Sequence, residues 1–186
     1  YIESFLSECL NNFISKYNYN PKDIKRGLIS PRFGYSKDYV DSLKSNWNNY
    51  RINKITELVR SLKYSILDDS LDVQLSAAVK PNFYESKQRW YQDWSSWIKE
   101  DLIDFVVVMN YNPSFFTFID NILMMTNQLN QFHLNKIIMG VALYNQSADE
   151  AVKKIKYSEK IGFCGLALFS YNVLIEDHKK LNPVLI

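Results

Sequence analysis

Four short apolar segments recur from residue 72 onward, and their spacing restricts the possible folds more than any other feature of the chain. They cover residues 72–79, 103–109, 137–143 and 163–169, and each is rich in Val, Ile, Leu, Ala or Phe. Continuous apolar runs of this length are typical of strands buried on both faces of a parallel sheet. Successive segments lie about 30 residues apart, the length of a β-α-β unit. The sequence therefore predicts four parallel strands.

Amphipathic segments between these runs predict the connecting helices. Apolar residues recur at helical spacing in residues 93–99, 114–129 and 147–160. Ser147 and Glu150 form a capping box at the start of the last segment. The fold class is therefore α/β, and a doubly wound sheet and a barrel both fit the pattern. No Gly-x-Gly-x-x-Gly follows a predicted strand, which argues against the nucleotide-binding version.

The first third of the chain lacks this strand pattern and predicts helices. Residues 2–17 carry an apolar stripe, residues 18–46 contain several Pro and Gly residues, and residues 47–67 form a second, longer amphipathic segment. We therefore predict one partial barrel domain over residues 1–186. In it, a helix and an irregular insertion occupy residues 1–46, and β/α units follow from residue 47 to residue 186.

Composition argues against several classes of function. The net charge is only +2 and basic residues alternate with acidic ones, so no basic stripe for nucleic acid is present. No apolar run reaches the roughly 18 residues that a membrane-spanning helix needs. Cys9, Cys164, His133 and His178 have no metal-ligand spacing, so we predict neither a metal nor a cofactor. Aromatic residues make up 15% of the chain. Because sugars present apolar faces to aromatic rings, this content favours a glycan site over a phosphate site.

Residues at the ends of the predicted strands are the candidate site residues, because active sites of parallel barrels lie at the C-terminal ends of the strands. We select Lys80, Gln92, Asp93, Trp94, Asn110, Tyr111, Tyr144 and Tyr171. Glycoside hydrolysis generally uses two carboxylates. Asp93 is the catalytic candidate, since it is the carboxylate that both the strand-end rule and the family resemblance described below select.

Each candidate after the first strand also has a structural interpretation. Asp93 could act as the N-cap of the helix that begins at Trp94. Trp94 could stack on a sugar ring or pack that helix onto the sheet. Gln92 could bind a sugar hydroxyl or hold the loop, and Lys80 could contact the substrate or a carboxylate. The sequence leaves these alternatives open.

The candidates after the later strands divide in the same way. Asn110 and Tyr111 end the most apolar strand, where packing hardly explains a polar pair, so a site role is favoured. Tyr144 and Tyr171 end their strands similarly, with site and structural roles evenly balanced. Glu85, in contrast, is interpreted as a solvated loop or helix charge.

Several motifs together resemble the family-10-like glycosyl hydrolases. That family has a Gln-Asp-Trp-x-x-Trp pattern, followed by Asp-Phe-x-x-x-Met-x-Tyr. The matching residues here are Gln92-Asp93-Trp94-Ser95-Ser96-Trp97, Asp104-Phe105 and Met109-Asn110-Tyr111. Trp47 and Arg51 are similar to a Trp-x-x-x-Arg motif upstream, and the Gly-containing runs at residues 140–144 and 165–171 are similar to the last two strands.

This resemblance implies a (β/α)8 TIM-type barrel of which the chain supplies about strands five to eight. The family's Asp-Tyr-x-Arg-Tyr-Pro motif on strand four is then expected upstream of Tyr1, on a missing N-terminal half. The implied activity is that of a glycoside hydrolase on peptidoglycan-type glycan of the bacterial cell wall, with Asp93 acting beside an Asp of strand four. The implied location is extracytoplasmic.

Two other functions remain open from the sequence. One is a non-catalytic barrel domain that binds glycan, since a fold does not determine a function. The other is an unrelated α/β interaction domain in which the Gln-Asp-Trp run is a packing motif.

Overall fold

The computed structural model describes residues 2–69 and 72–176 of the chain. The chain divides into two compact units, Tyr1–Ile55 and Thr56–Ile186, and the boundary falls within one long helix. The predicted division between residues 46 and 47 thus lies about two helical turns before this boundary. None of the described helices is both long and apolar enough to cross a membrane.

Helices account for the regular structure described in the first unit. They are α1 (Ile2–Tyr17), α2 (Pro21–Lys25), a short 3-10 helix (Pro31–Phe33) and the start of α3 (Lys37–Asp68). Helix α1 has the predicted bounds. Helix α3 begins ten residues before the predicted start at residue 47, so the predicted irregular insertion was too long. Its first turn forms where the Ser36 hydroxyl accepts a hydrogen bond from the Tyr39 amide, just after the last Gly of the insertion.

An aromatic cluster forms the core of the first unit. The ring of Phe13 is fully buried, and it stacks on Tyr17 with a centroid distance of 4.5 Å. Three further rings meet it edge-on at 4.7 to 5.1 Å, namely Tyr19, Trp47 and Tyr50. Edge-on and offset contacts are the arrangements that aromatic quadrupoles favour. Much of the Tyr and Trp content of this unit therefore serves packing.

The second unit contains the predicted parallel sheet. Its strands are β1 (Ser76–Val79), β2 (Phe105–Met109), β3 (Ile137–Ala142) and β4 (Gly165–Phe169), in the spatial order β1-β2-β3-β4. All three pairings are parallel, and each strand lies inside its predicted segment. The prediction of an α/β fold is confirmed, and the arrangement is consistent with part of a TIM-like barrel.

Helices alternate with these strands as β-α-β units require. They are α4 (Phe83–Trp90), α5 (Trp94–Lys99), α6 (Phe115–Gln128), α7 (Gln131–Leu134), α8 (Ala148–Ile161) and α9 (Tyr171–Glu176). Helices α5, α6 and α8 match the predicted segments. Helix α4 was not predicted because it is short and polar. Its start is stabilised by Asn82, whose side chain accepts from the Glu85 amide, and it ends at Tyr91 in the left-handed conformation.

Asp104 links the N-terminal edge of the sheet to helix α3. Its carboxylate accepts hydrogen bonds from the Leu75 amide at 2.7 Å and from the Lys63 ammonium at 2.8 Å. Burial acts to raise the pKa of Asp104, but these two hydrogen bonds and the charges of Lys63 and Lys136 outweigh it and lower the pKa below 3.8. Such a group stabilises the folded state while it is ionised.

We expect this contact to make stability dependent on pH at the acid end. Because the pKa of Asp104 is lower in the folded chain, its contribution is complete above the unfolded value of 3.8. The contribution is lost as the pH falls through the folded-state pKa. Urea unfolding between about pH 2.5 and 6 should therefore show a shallower acid decline for Asp104→Asn and for Lys63→Met than for the wild type. Identical slopes in all three proteins would contradict this role.

Candidate functional site

A cleft of about 610 Å³ opens at the C-terminal ends of β1, β2 and β3. Its walls are the loop after β1, one side of α4, the end of β2 with the loop that follows, Thr117 and Asn121 of α6, and Tyr144 after β3. Parallel strands place their carboxyl ends on the same side of a sheet, which explains why segments so distant in sequence meet here.

The cleft brings together half of the predicted site residues. Lys80, Asn110, Tyr111 and Tyr144 all line it. The remaining four candidates, Gln92, Asp93, Trp94 and Tyr171, are not among its lining residues.

Gln92 holds the loop against the edge of β1. Its side-chain oxygen accepts a hydrogen bond from the Lys80 amide at 3.1 Å, and its side-chain nitrogen donates to the Ala78 carbonyl at 3.1 Å. The Ser86 hydroxyl donates to the Gln92 backbone carbonyl at 3.0 Å. The side-chain amide of Gln92 thus bonds to the backbone of β1 as a neighbouring strand would. Of the two roles predicted for Gln92, the structure shows the one of holding the loop.

Trp94 supports the end of β1 from beneath. Its side chain is fully buried, and its ring packs against Phe83 with a centroid distance of 4.4 Å. The indole N–H donates to the Lys80 carbonyl at 2.9 Å. No ring face is open to solvent, so of the two roles predicted for Trp94 the structure shows the packing one: the residue fixes the backbone of the cleft wall.

Asp93 precedes α5 at the N-cap position, but its side chain does not cap the helix. Its carboxylate instead accepts a hydrogen bond from the Lys87 ammonium at 2.6 Å and faces the Ser95 hydroxyl at 3.4 Å. The Asp93 side chain is only 15% exposed, whereas that of Lys87 is 43% exposed. The structure therefore places this carboxylate in an ion pair between α4 and α5.

Asn110 ties the end of β2 to helix α6. Its side-chain nitrogen donates to the Phe118 carbonyl at 3.0 Å, and its side-chain oxygen accepts from Asn121 at 2.9 Å. The residue is almost completely buried. A buried amide needs such partners. These bonds therefore give a structural reason for the polar Asn110 at the end of an apolar strand, where the sequence analysis favoured a site role.

Three aromatic rings meet at the tips of β2, β3 and β4. Tyr111 stacks on Phe169 with a centroid distance of 5.4 Å, and Tyr144 meets Phe169 edge-on at 6.2 Å. Burial, and to a lesser degree Tyr144, raise the pKa of Tyr111, so its hydroxyl remains a hydrogen-bond donor at neutral pH. Phe169 and Tyr144 are about half exposed. Tyr171, by contrast, is 70% exposed at the start of α9.

The sequence profile of the glycosyl hydrolase-like 10 family matches residues 19–160, more than half of the chain. The chain belongs to the glycosyl hydrolase-like 10 family. The resemblance drawn from the Gln-Asp-Trp run and the strand ends is thereby confirmed. Comparison with curated proteins gave no match.

In this member of the glycosyl hydrolase-like 10 family, the sequence analysis missed the three residues that helix α4 contributes to the cleft. Glu85, Arg89 and Trp90 all project from α4 into it. Arg89 pairs with Glu85 at 3.3 Å, and the Trp90 side chain is 45% exposed. Glu85 and Arg89 are four residues apart, which places them on one face of a helix. This shared face could be recognised from the sequence only if α4 had been predicted.

A buried lysine fixes the loops on the other side of the cleft. Lys154 of α8 is 1% exposed, and its ammonium donates to the carbonyls of Asn112 at 2.7 Å and Pro113 at 2.9 Å. It also donates to the side-chain oxygen of Gln146. Burial lowers the pKa of Lys154, against the smaller opposing effect of Glu150. The lysine thus joins the loop after β2 to the loop after β3.

Among residues 2–69 and 72–176, no group of three or more His, Cys, Asp or Glu side chains is placed to hold a metal ion. The arrangement in the described part of the chain instead offers aromatic rings, amides, three hydroxyl groups and three charged groups around an open cleft.

Proposed function

We propose that this chain binds a glycan in the strand-tip cleft and acts in a glycoside hydrolase that cleaves glycan of the bacterial cell-wall type. The observation that carries the proposal is the cleft itself, which joins exposed aromatic rings to hydrogen-bonding groups at the C-terminal ends of parallel strands. Ligand sites commonly combine apolar walls with a few placed polar groups, and family membership adds the glycosyl hydrolase-like fold.

The proposed chemistry is acid/base hydrolysis by two carboxylates. Two carboxylates of this chain, Glu85 and Asp93, follow the end of β1, and they differ in their position relative to the cleft. Glu85 lines the cleft on α4, whereas Asp93 is paired with Lys87 outside the lining. We propose that Glu85 faces the glycan, and that Asp93 is reached only if the loop between α4 and α5 moves.

The second carboxylate is proposed to come from a further strand beside β1. Ser76 and Ala78 of β1 are exposed, and no residue of β4 is fully buried, with Phe169 exposed at its end. Exposed edges of a parallel sheet are usually covered. This supports our proposal that the four strands are the C-terminal half of a (β/α)8 barrel.

Substitution of the two carboxylates tests the proposal directly. The purified protein would be assayed for release of reducing ends from cell-wall glycan strands, beside its Glu85→Gln and Asp93→Asn variants. Loss of the acid/base carboxylate should lower the rate by about 10²- to 10⁴-fold. Glu159→Gln on α8, which removes an exposed carboxylate away from the cleft lining, should leave the rate unchanged.

A non-catalytic glycan-binding domain is the second candidate function. It is favoured by one observation: among the described residues, Glu85 is the only carboxylate that lines the cleft. Retention of the wild type on immobilised glycan strands without any release of reducing ends would favour this candidate. Absence of both retention and cleavage would refute both functions.

A location outside the cytoplasm is also proposed, because cell-wall glycan lies there. Cell fractionation with an antibody against this chain would test it. Recovery of the protein only from the cytoplasmic fraction would contradict both the location and the cell-wall substrate.

A further inference from the structure

The half-exposed ring of Trp90 contacts two positively charged side chains at the cleft, Lys80 and Arg89. The Lys80 ammonium lies 4.9 Å from the centroid of the Trp90 ring, and the Arg89 guanidinium carbon lies 5.5 Å from it. Cations within about 6 Å of an indole face are attracted by its π electrons. Trp90 therefore positions both charges beside the cleft that all three residues line.

These two cations differ in their acidic partners. Arg89 pairs with the Glu85 carboxylate at 3.3 Å, so much of its charge is balanced inside the cleft. Lys80 forms no ion pair with any residue that the structure describes. Glu85, Arg89 and Lys80 are the charged side chains of the cleft lining, which leaves one net positive charge at Lys80.

We propose that Lys80 and Trp90 form a subsite for a carboxylate group carried by the glycan, an inference that rests on the proposed glycan binding. The Lys80 ammonium donates to the ligand carboxylate in a charge-assisted hydrogen bond. Trp90 acts as a positioning residue, since its ring holds the ammonium in place. The preferred ligand is therefore an acidic saccharide, whose carboxylate would pair with the Lys80 ammonium.

Two hydrogen bonds hold the backbone of Lys80 at the cleft. Its amide is held by the Gln92 side chain, and its carbonyl accepts from the Trp94 indole. Both flanking hydrogen bonds are part-buried and fix the backbone from which the side chain projects. A preorganised donor loses less conformational entropy on binding than a free lysine does.

Calorimetry with a matched ligand pair tests the subsite. The probes are a tetrasaccharide containing N-acetylmuramic acid with its carboxyl groups free, and the same tetrasaccharide as its methyl ester. At low salt the wild type should bind the free acid about 3- to 30-fold more tightly, the range expected for one partly exposed charge contact. The difference should shrink as salt rises, because exposed charges are screened.

Variants assign the difference to the named residues. Lys80→Met should abolish the preference for the acid over the ester, and Lys80→Arg should restore it. Trp90→Leu should reduce the preference, and Trp90→Phe should keep more of it because a ring remains. Lys156→Met, which removes an exposed charge on α8 away from the cleft lining, should keep the full preference.

The outcomes separate this inference from the proposed function. Equal affinity for acid and ester in the wild type, with both bound, would overturn the carboxylate subsite and leave glycan binding intact. No binding of either probe would overturn both. A preference for the acid that survives in Lys80→Met would place the anion contact elsewhere and overturn the assignment to Lys80.

Discussion

Gly140→Ala is expected to lower the free energy of unfolding by about 3 kcal/mol, at the upper end of the range for overpacked sites. A Cβ atom at Gly140 would lie 2.5 Å from the Val108 carbonyl oxygen and 3.0 Å from the Tyr111 ring. The nearer atom belongs to the backbone of β2, which pairs with β3, so it cannot turn aside. The two central strands would have to separate locally.

A matched glycine controls for the substitution itself. Gly165 in β4 has no atom within 4 Å of an added Cβ, so Gly165→Ala should change stability by less than about 0.5 kcal/mol. Urea unfolding of both variants measures the difference. Equal stability of the two variants would contradict the close approach between β2 and β3.

The same substitution should weaken the site. Tyr111 is the second neighbour of the added Cβ atom, and its ring stacks on Phe169 at the strand tips. Displacement of this ring would change the wall of the cleft, so Gly140→Ala should bind the glycan more weakly even at temperatures where it remains folded. Gly165→Ala should bind as the wild type does.

Trp94→Ala is expected to cost about 3–5 kcal/mol, the range for truncation of a buried large aromatic side chain. The fully buried ring packs on Phe83, and its N–H satisfies the Lys80 carbonyl. The substitution leaves a cavity and an unpaired carbonyl in the wall of the cleft. Trp94→Phe should cost less, because it restores most of the volume and loses mainly the hydrogen bond.

Trp90 provides the matched control for this prediction. Its side chain is 45% exposed, so Trp90→Ala should lower stability by less than about 1 kcal/mol while reducing the discrimination between acidic and neutral ligands. Thermal unfolding monitored by circular dichroism compares the two variants. If Trp94→Ala kept its stability and lost only ligand affinity, the packing role assigned to Trp94 would be wrong.

The strands were predictable because local composition alone determines them. Strand β2 consists of Phe, three Val and Met, and β3 is nearly as apolar, so neither could form a solvent-exposed segment. Their even spacing along the chain required connecting helices, and Ser147 with Gly162 marked the ends of α8. Apolar composition and helix-capping residues are local features that can be read from a few neighbouring residues, and the pairing of the strands agrees with them.

The start of α3 and the whole of α4 were not predictable by the same means. Helix α4 has only eight residues, of which four are charged or amide-bearing. Its Asn82 cap is a local contact, but the loop that follows the helix is held to the edge of β1 by a hydrogen bond between Gln92 and Ala78, 14 residues apart. Contacts distant in sequence thus decide a short helix whose own propensity is weak.

The strand-tip rule selected Lys80, Asn110, Tyr111 and Tyr144, because parallel pairing alone brings strand ends together. It could not select Glu85, Arg89 or Trp90, since these reach the cleft only through the path of α4. Asp93 and Trp94 shared the same motif with Gln92, yet packing turned all three toward the protein.

The sequence by itself therefore determined the class of fold, the order of its elements and the side of the sheet on which the site lies. Apolar periodicity and parallel connection leave few alternatives for these features. Only the tertiary structure decided which polar side chains face the cleft and which are consumed in holding it. That choice depends on hydrogen bonds between residues such as Gln92 and Ala78, which are neighbours in space and not in sequence.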